Sequence, residues 1–378
     1  MNFTLTPEQE AWRNAVRRFA EKELAPRVAQ NDETQTFPHD VIPKMAALKL
    51  WGVFVPEAYG GAGGTNMDWV IMMEEIGRVD AAICISILGH CHAARAILTA
   101  GDESQKARYL PPLAGGGEIA GFGLTEPNAG SDAAAITTTA ARRGDHYILN
   151  GTKAFITNAG VARIYVVLAK TDPSKGARGI SAFIVPADTP GFSIGKIENK
   201  LGVRSSMTGE LIFDDCAVPA ENLLGIENEG FGKLMEVFAI ERAGNSAIAV
   251  GTAQAAMEAA IRYTKERPAF GKKVADFQGA QWMLADMAVE IEAARLLTRQ
   301  GADLADRGLP HLEQVAMGKV LSNEMCMRVT VNAVQLLGAA GYTKDFPVER
   351  YMRDAKIFAI GGGTTQIQRT IIARGLLK

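Results

Sequence analysis

The stretch HYILNGTKAFI, residues 146–156, lies where the sequence pattern changes from helical to extended. With IYVVLAK, ISAFIVPA and GELIFDD it forms a series of short β-branched or aromatic runs separated by Gly, Pro, Asn and Asp, which is typical of strands and turns. These runs, between about residues 121 and 225, predict an antiparallel sheet or barrel. The pair Asn150-Gly151 lies between two strand-like runs, and we interpret it as a hairpin turn rather than as a glycosylation signal.

Helical patterns lie on both sides of this β region. The segment TPEQ, residues 6–9, has the residues of a helix start with a capping box, and apolar residues follow on one face at Trp12, Val16 and Phe19. After residue 225 the helical period returns, and within residues 275–305 one stripe is formed by Leu284, Met287, Ile291 and Ala294. Because helices and strands are segregated rather than alternating, a Rossmann sheet is not expected.

The predicted fold class is therefore mainly α with a central β domain. We place an N-terminal α-helical domain at residues 1–120, a middle β-barrel at 121–230 and a C-terminal helical bundle at 231–378. A chain of 378 residues with 47% hydrophobic and 22% charged residues has the composition of a globular protein with more than one domain. The formal net charge of −2 and the lack of a basic block argue against binding to nucleic acid.

The cysteines and the N-terminus indicate a cytoplasmic protein. Cys84, Cys91, Cys216 and Cys326 are scattered without CxxC spacing, as expected for reduced thiols. The first residues lack the basic region and apolar core of a signal peptide. No apolar run approaches the roughly 20 residues needed to cross a bilayer, so no membrane insertion is expected.

Two other classes of site find no support in the sequence. His90, Cys91 and His92 are adjacent, but residues at i and i+2 point to different sides of a helix, and no second ligand cluster or HExxH motif exists. We therefore predict no metal site. The GxSxG motif of a serine hydrolase is also absent from the sequence.

Three segments carry a more specific signal, namely GFGLTEPNAGSDA (121–133), KAFITNAG (153–160) and RDAKIFAIGGGTTQIQR (353–369). With these segments, in this order, the chain resembles the acyl-CoA dehydrogenase family from its first helix to its last residue. The resemblance implies a helical domain, a β-barrel and a four-helix bundle, with FAD bound where they meet. It also implies an acyl-CoA substrate, a homotetramer or homodimer, and an electron-transfer flavoprotein as the electron acceptor.

The resemblance further implies which residues form the cofactor site. In such enzymes Leu124 and Thr125 would contact the flavin ring, and Ser131 would lie at the cofactor and hydrogen-bond the acyl-CoA. The other flavin face would be covered by Phe155, Ile156 and Thr157, where the family usually has Trp in place of Phe155. Contacts to the FAD of a neighbouring subunit would come from Arg267, Phe270, Gln278, Gln335 and Gly338. Thr364 and Gln366 begin the final helix, whose N-terminal N–H groups favour negative charge.

One expected residue is missing from the pattern. Many members of the family carry a glutamate that removes the α-proton at the position of Gly362 in this chain. Gly362 has no side chain to titrate, but it retains the backbone N–H that polarises the thioester carbonyl in the family. A subset of the family, including isovaleryl-CoA and long-chain acyl-CoA dehydrogenases, places the base directly before the arginine that corresponds to Arg242, and Glu241 occupies that position. We therefore predict Glu241 and Gly362 as catalytic residues and Arg242, Gly363 and Ser131 as substrate contacts.

The predicted function is an FAD-dependent acyl-CoA dehydrogenase that converts an acyl-CoA thioester to the 2-enoyl-CoA. An alternative is a family member with changed chemistry, an enoyl-CoA-type reductase or a desulfinase, since some such members also lack the usual base. A further alternative is a flavin or acyl-CoA binding protein without turnover. The sequence leaves open the acyl chain length and branching, the choice between CoA and an acyl-carrier protein, and the physiological direction.

Overall fold

The first third of the chain is helical. The computed structural model describes residues 4–378, and of Glu236 the backbone alone. The helices are α1 (Pro7–Phe19), α2 (Val28–Thr34), α3 (Ile42–Ala47), α4 (Asn66–Gly77), α5 (Ala81–Ala100) and α6 (Glu103–Ala114). Thr6 caps α1 through the predicted capping box with Gln9, and Val16 and Phe19 are buried. The predicted start of the first helix is therefore confirmed.

The central region forms one mainly antiparallel sheet. Its strands are β1 (Ala120–Gly123), β2 (Thr139–Arg143), β3 (His146–Thr157), β4 (Ile164–Lys170), β5 (Ile180–Pro186), β6 (Phe192–Ile197), β7 (Thr208–Pro219) and β8 (Leu223–Leu224). Hydrogen bonding gives the order β6-β7-β3-β2-β4-β5-β8, and β1 pairs in parallel with β4. All but the last residues of β4 and β5 are buried, as expected for strands covered on both faces.

The Asn150-Gly151 pair does not form a hairpin turn, so that prediction is wrong. Strand β3 runs through both residues, and the β2–β3 hairpin turns at residues 144–145 instead. The pairing of β3 with β7 shifts register at this point, and the Asn150 side chain exchanges hydrogen bonds with Asp215 at 3.1 and 2.8 Å. A Cβ on Gly151 would lie 2.6 Å from Oγ1 of Thr138, so glycine serves close packing within a strand.

The rest of the chain is helical again, as the periodicity predicts. The helices are α7 (Gly230–Glu266), α8 (Gln278–Asp306), α9 (Leu312–Leu337), α10 (Val348–Phe358) and α11 (Thr365–Leu376), with a short ribbon of β9 (Pro268–Ala269) and β10 (Lys272–Lys273) before α8. Helices α7, α8 and α9 pack along one another, and α10 and α11 pack against α9. The predicted stripe on α8 is confirmed, since Met287, Ile291 and Ala294 are buried and Leu284 packs on the core.

Helix α5 has the length and apolar composition of a membrane span, which the sequence analysis did not anticipate. However, 78% of its apolar window is buried within the protein. It packs against α4, α6, α7 and β1, and so it belongs to the interior of the fold. Together with α7, which also contacts α4, it joins the N-terminal helices to the C-terminal bundle.

Candidate active site

The loop that follows β1 is fixed by one buried carboxylate. Glu126 accepts hydrogen bonds from the backbone N–H groups of Thr137 and Thr138, at 2.6 and 3.0 Å, and from their hydroxyls at 2.8 and 2.5 Å. It also pairs with Nζ of the buried Lys153 at 2.7 Å. Burial by itself would raise the pKa of Glu126, but the Lys153 charge and these hydrogen bonds lower it to about 2. The ionised carboxylate therefore ties the loop to β3.

This network holds two of the residues predicted to contact a flavin. Nζ of Lys153 donates to the carbonyl oxygen of Leu124 at 3.2 Å, and the N–H of Ala154 donates to that of Thr125 at 2.9 Å. Leu124 and Thr125 are half-buried, whereas Ser131, farther along the loop, is exposed. Hydrogen bonds to β3 therefore fix the backbone of Leu124 and Thr125 without any ligand.

Phe155 occupies strained backbone at the surface. Its φ is 58°, in the left-handed region that costs a residue with a side chain about 1–2 kcal/mol. It lies where the register of β3 against β7 shifts between Lys153 and Ile156, and its side chain is 62% exposed. Ile156 is buried and Thr157 half-buried. A bulge that turns an aromatic ring outward at an energetic cost is a frequent feature of ligand sites.

The carboxylate of Glu241 is buried where α7 packs against α5. Its Oε1 accepts a hydrogen bond from Nε of Arg95 at 2.5 Å. Its Oε2 is also buried but has no hydrogen-bond partner within the described part of the chain. The guanidinium of Arg95 lies over the ring of Phe54, 3.8 Å from the ring centre. One oxygen of Glu241 is therefore fixed, and the other is available to receive a proton.

Burial dominates the electrostatics of this glutamate. Burial raises the pKa of Glu241 and outweighs the charge and the hydrogen bond of Arg95, which lower it. A raised pKa suits a carboxylate that takes up and releases a proton near neutral pH. The next residue, Arg242, is largely buried, its pKa is lowered by burial, and its Nε has no hydrogen-bond partner among residues 4–378.

A buried lysine lies against the glycine loop between α10 and α11. Nζ of Lys319 donates to the carbonyl oxygen of Gly361, and a Cβ placed on Gly362 would lie 3.1 Å from that Nζ. Gly362 and Gly363 have φ of 66° and 89°, a conformation that glycine adopts without strain. The N–H of Gly362 makes no hydrogen bond to any residue between 4 and 378. Burial, together with the charge of Arg242, lowers the pKa of Lys319 to about 7.

The ring of His92 packs against two phenylalanine rings. Its ring centre is 4.9 Å from that of Phe238 and 6.1 Å from that of Phe122, and these two phenylalanine rings are 4.9 Å apart. Burial lowers the pKa of His92 to about 3, and the charges of Lys319, Arg95 and Arg242 act in the same direction. Charges on α5, α7 and α9 therefore all act on His92, whose imidazole is neutral.

The start of the last helix agrees with the sequence prediction. Thr364 caps α11, and its Oγ1 accepts a hydrogen bond from the N–H of Ile367 at 3.3 Å. Gln366, on the first turn, is exposed. The buried Gln368 donates from Nε2 to the carbonyl oxygen of Gly363 at 3.1 Å, so the loop is held from both α9 and α11.

A second group of predicted residues includes Arg267, which lies far from Glu241. The group is exposed on the surface of the single chain and consists of Arg267, Phe270, Gln278, Gln335 and Gly338. Arg267 follows Glu241 by 26 positions on α7, which corresponds to about 39 Å along the helix. Their role toward the cofactor of another subunit therefore stays a prediction.

Sequence reasoning missed two residues of this site. Arg95 is the one charged residue of helix α5, and Lys319 is a charged residue at a buried position of α9. A charge on an otherwise apolar helix face was the available signal, because buried charges require a partner. The sequence does not show which partner each charge takes.

Family profiles match along almost the whole chain. The N-terminal domain of acyl-CoA dehydrogenase matches residues 6–117, its middle domain residues 121–216 and its C-terminal domain residues 228–377. The chain belongs to the acyl-CoA dehydrogenase family. Members of this family are oxidoreductases of acyl-CoA metabolism, so the protein is an enzyme of that class.

Three relatives illustrate how close the family match is. The chain is 46% identical over 374 residues to the short-chain specific acyl-CoA dehydrogenase of Clostridium acetobutylicum, with 99% of each chain covered. It is also 46% identical over 380 residues to the acryloyl-CoA reductase (NADH) of Anaerotignum propionicum, with 100% of this chain and 96% of the relative covered. A chain in a solved structure of the electron transferring flavoprotein of Acidaminococcus fermentans is 46% identical, with a TM-score of 0.98 and full coverage of both chains.

Proposed function

We propose that this acyl-CoA dehydrogenase family member is FAD-dependent and oxidises an acyl-CoA thioester to the 2-enoyl-CoA, with Glu241 as the base. The observation that carries the proposal is the buried carboxylate of Glu241, with one oxygen bound by Arg95 and the other without a partner in the described structure. In this proposal Glu241 takes the place of the glutamate base that many members of the family carry at the position of Gly362. Because one relative is short-chain specific, short acyl-CoA thioesters are the first substrates to test.

The chain's own residues supply the proton transfer and the polarisation of the thioester. Oε2 of Glu241 would take the α-proton, while the N–H of Gly362 would donate to the thioester oxygen, where negative charge develops. Bound FAD would supply the acceptor for the hydride that leaves the β-carbon. Loss of the proton from the α-carbon and of the hydride from the β-carbon creates the α,β double bond. The aromatic cluster of His92, Phe122 and Phe238 would help to exclude water from the reacting carbons.

The residues at the sheet fit a flavin. Phe155 already presents an aromatic face to solvent from strained backbone, as a ring that contacts a flavin would require. Leu124 and Thr125 are held on β3, and Thr364 caps a helix whose N-terminal N–H groups suit a phosphate. We further propose the domain limits 1–120, 121–230 and 231–378.

The assembly and the electron partner rest on the family. We propose a homotetramer or homodimer in which Arg267, Phe270, Gln278, Gln335 and Gly338 contact the FAD of a neighbouring subunit. Phe270, which is 96% exposed in the single chain, supports such a contact because a bare aromatic side chain is unfavourable in water. An electron-transfer flavoprotein is the proposed acceptor, supported by the relative solved with such a protein, and the proposed location is cytoplasmic.

Anaerobic addition of acyl-CoA to the flavin-loaded enzyme tests this function. Rapid bleaching of the oxidised flavin is expected for at least one short acyl-CoA, and a spectral shift without reduction would contradict dehydrogenation. In the Glu241→Gln variant the bleaching rate should fall by about 10²-fold or more, the scale of a positioned general base. Glu75→Gln is the matched control, since Glu75 is also buried but pairs with Arg17 on α1. An unchanged rate in Glu241→Gln would remove Glu241 from this role.

The reductase direction is the second candidate, favoured by the 46% identity to an acryloyl-CoA reductase that uses NADH. In that direction a protonated Glu241 would deliver its proton to the α-carbon of the enoyl-CoA. Incubation of the enzyme with NADH and a short 2-enoyl-CoA separates the two functions. Formation of saturated acyl-CoA together with oxidation of NADH would establish the reductase. If the enoyl-CoA and NADH do not react, but acyl-CoA rapidly bleaches the flavin, the enzyme is a dehydrogenase.

A further inference from the structure

We propose that Arg95 is a positioning residue, which favours the ionised form of the Glu241 carboxylate against the effect of burial and directs its Oε2 to the substrate. This inference rests on the proposed role of Glu241 as the base. It starts from the single contact of Nε of Arg95 with Oε1 of Glu241 at 2.5 Å, in the interior between α5 and α7.

A comparison with another buried glutamate shows why the geometry of this pair matters. Glu75 on α4 is bound by Arg17 through Nε and Nη2, at 2.7 and 2.8 Å, so both of its oxygens are occupied. Arg95 contacts Glu241 through Nε alone, and its buried Nη2 has no partner in the described part of the chain. The two-point contact of Glu75 suits a structural ion pair. The one-point contact holds Glu241 in place and leaves an oxygen for chemistry.

Phe54 explains how a one-point contact can still be rigid. Its ring lies beneath the guanidinium of Arg95, with Cζ 3.8 Å from the ring centre. A flat guanidinium stacks on an aromatic ring, whereas the ammonium of a lysine is a rounder and more strongly hydrated charge. The contact with Phe54 restrains the guanidinium of Arg95, and the hydrogen bond holds Glu241 against it.

The other groups around Glu241 do not replace Arg95. On α5, Cys91 is a neutral thiol because burial and the charge of Glu241 raise its pKa, and His92 is a neutral imidazole. The charges of Arg242 on α7 and Lys319 on α9 act on His92, but neither residue bonds to the Glu241 carboxylate. Within residues 4–378, Arg95 is therefore the one cation in direct contact with this carboxylate. Without it, burial alone would favour the protonated acid.

The test measures the pH dependence of flavin bleaching by acyl-CoA in the Arg95→Met and Arg95→Lys variants. Removal of the cation should raise the pKa of Glu241 and move the acidic limb of the bleaching rate to higher pH. At a pH below both the wild-type and the variant pKa, a tenfold increase in the proton affinity of Glu241 slows the reaction about tenfold, and the rate returns at alkaline pH. Arg95→Lys, which keeps a charge but not the stack, should have a smaller shift. Arg17→Met is the matched control and should leave the limb unchanged.

A second readout separates this inference from the proposed function. Infrared difference spectra should contain the band of a protonated carboxylic acid in Arg95→Met at neutral pH, and the band should be lost in Arg95→Met with Glu241→Gln. If acyl-CoA never bleaches the wild type, the proposed function fails while the infrared titration still decides the role of Arg95. The inference would be overturned if Arg95→Met kept the wild-type acidic limb of the bleaching rate and lacked the infrared band of a protonated carboxylic acid. If that variant does not fold, Arg95→Gln is measured in its place against Arg95→Lys, with the same two outcomes.

Discussion

Nζ of Lys319 lies 3.1 Å from the point that a Cβ of Gly362 would occupy. The ammonium thus lies beside the start of any side chain that position 362 could carry, and it is bonded to the carbonyl of Gly361. The loop is held by the buried amine of Lys319 and by the Thr364 cap rather than by a side chain of its own. This arrangement keeps the amide of Gly362 in place although the usual carboxylate is absent.

The glycine loop should tolerate a methyl group at one position and reject it at the next. Gly362→Ala should lower the free energy of unfolding by about 1–2 kcal/mol, because its φ of 66° is unfavourable for alanine. Gly361→Ala is the matched control, since its Cβ would meet Ile357 at an ordinary 3.6 Å, and it should be neutral or stabilising by up to about 1 kcal/mol. Urea denaturation of both variants measures the difference. Equal stability of the two would contradict the loop geometry.

Lys319 should make the stability of the enzyme depend on pH in an alkaline window. Its pKa falls from 10.5 to about 7 on folding because it is buried and near Arg242. Between these two values the unfolded chain binds more protons than the folded one, so stability rises with pH across that window. In Lys319→Met this rise should be smaller. The unfolding free energies of the wild type and of Lys319→Met are measured from pH 6 to about 11. Their difference reports the titration of Lys319, because the other groups titrate in both proteins. A constant difference would show that Lys319 does not titrate on folding.

Much of the fold could be read from the sequence, because it depends on local periodicity and caps. The stripe on α8 and the capping box at Thr6 are determined by residues three or four positions apart. Such spacing is visible in the chain itself. The helix, sheet, helix order follows in the same way from runs of β-branched residues.

The failures concern contacts between distant residues. Asn150-Gly151 is a residue pair typical of a turn. However, Asp215 binds the Asn150 side chain and Thr138 packs against Gly151, and both of these partners are distant in the sequence. Glu241 could be proposed as the base, yet its partner Arg95 lies 146 positions away. The positive φ of Phe155 depends on the bulge between β3 and β7, which no single-strand pattern predicts.

Phe155 should contribute to cofactor affinity but little to the stability of the protein. Its ring is 62% exposed, so Phe155→Ala should change the free energy of unfolding of the flavin-free protein by less than about 1 kcal/mol. Loss of one aromatic contact should weaken FAD binding by up to about tenfold, measured by the fluorescence of released flavin. Phe155→Trp should retain the affinity. Leu201→Ala, at an equally exposed apolar side chain, is the control, and a loss of FAD there as large as in Phe155→Ala would refute a specific contact.

Removal of Lys153 alone should destabilise the protein more than removal of both charges of the buried Glu126–Lys153 pair. Lys153→Met leaves the Glu126 carboxylate buried without its cation, which should cost about 3–5 kcal/mol of stability. The double variant Glu126→Gln with Lys153→Met should cost less than Lys153→Met alone, because the uncompensated charge is then gone. The pKa of Glu126, lowered from 4.5 to about 2, means that its contribution is complete above pH 4.5 and is lost as the pH falls toward 2. Urea denaturation at neutral and acidic pH tests both statements. A double variant less stable than Lys153→Met at neutral pH would show that Glu126 supports the loop through its threonine hydrogen bonds alone.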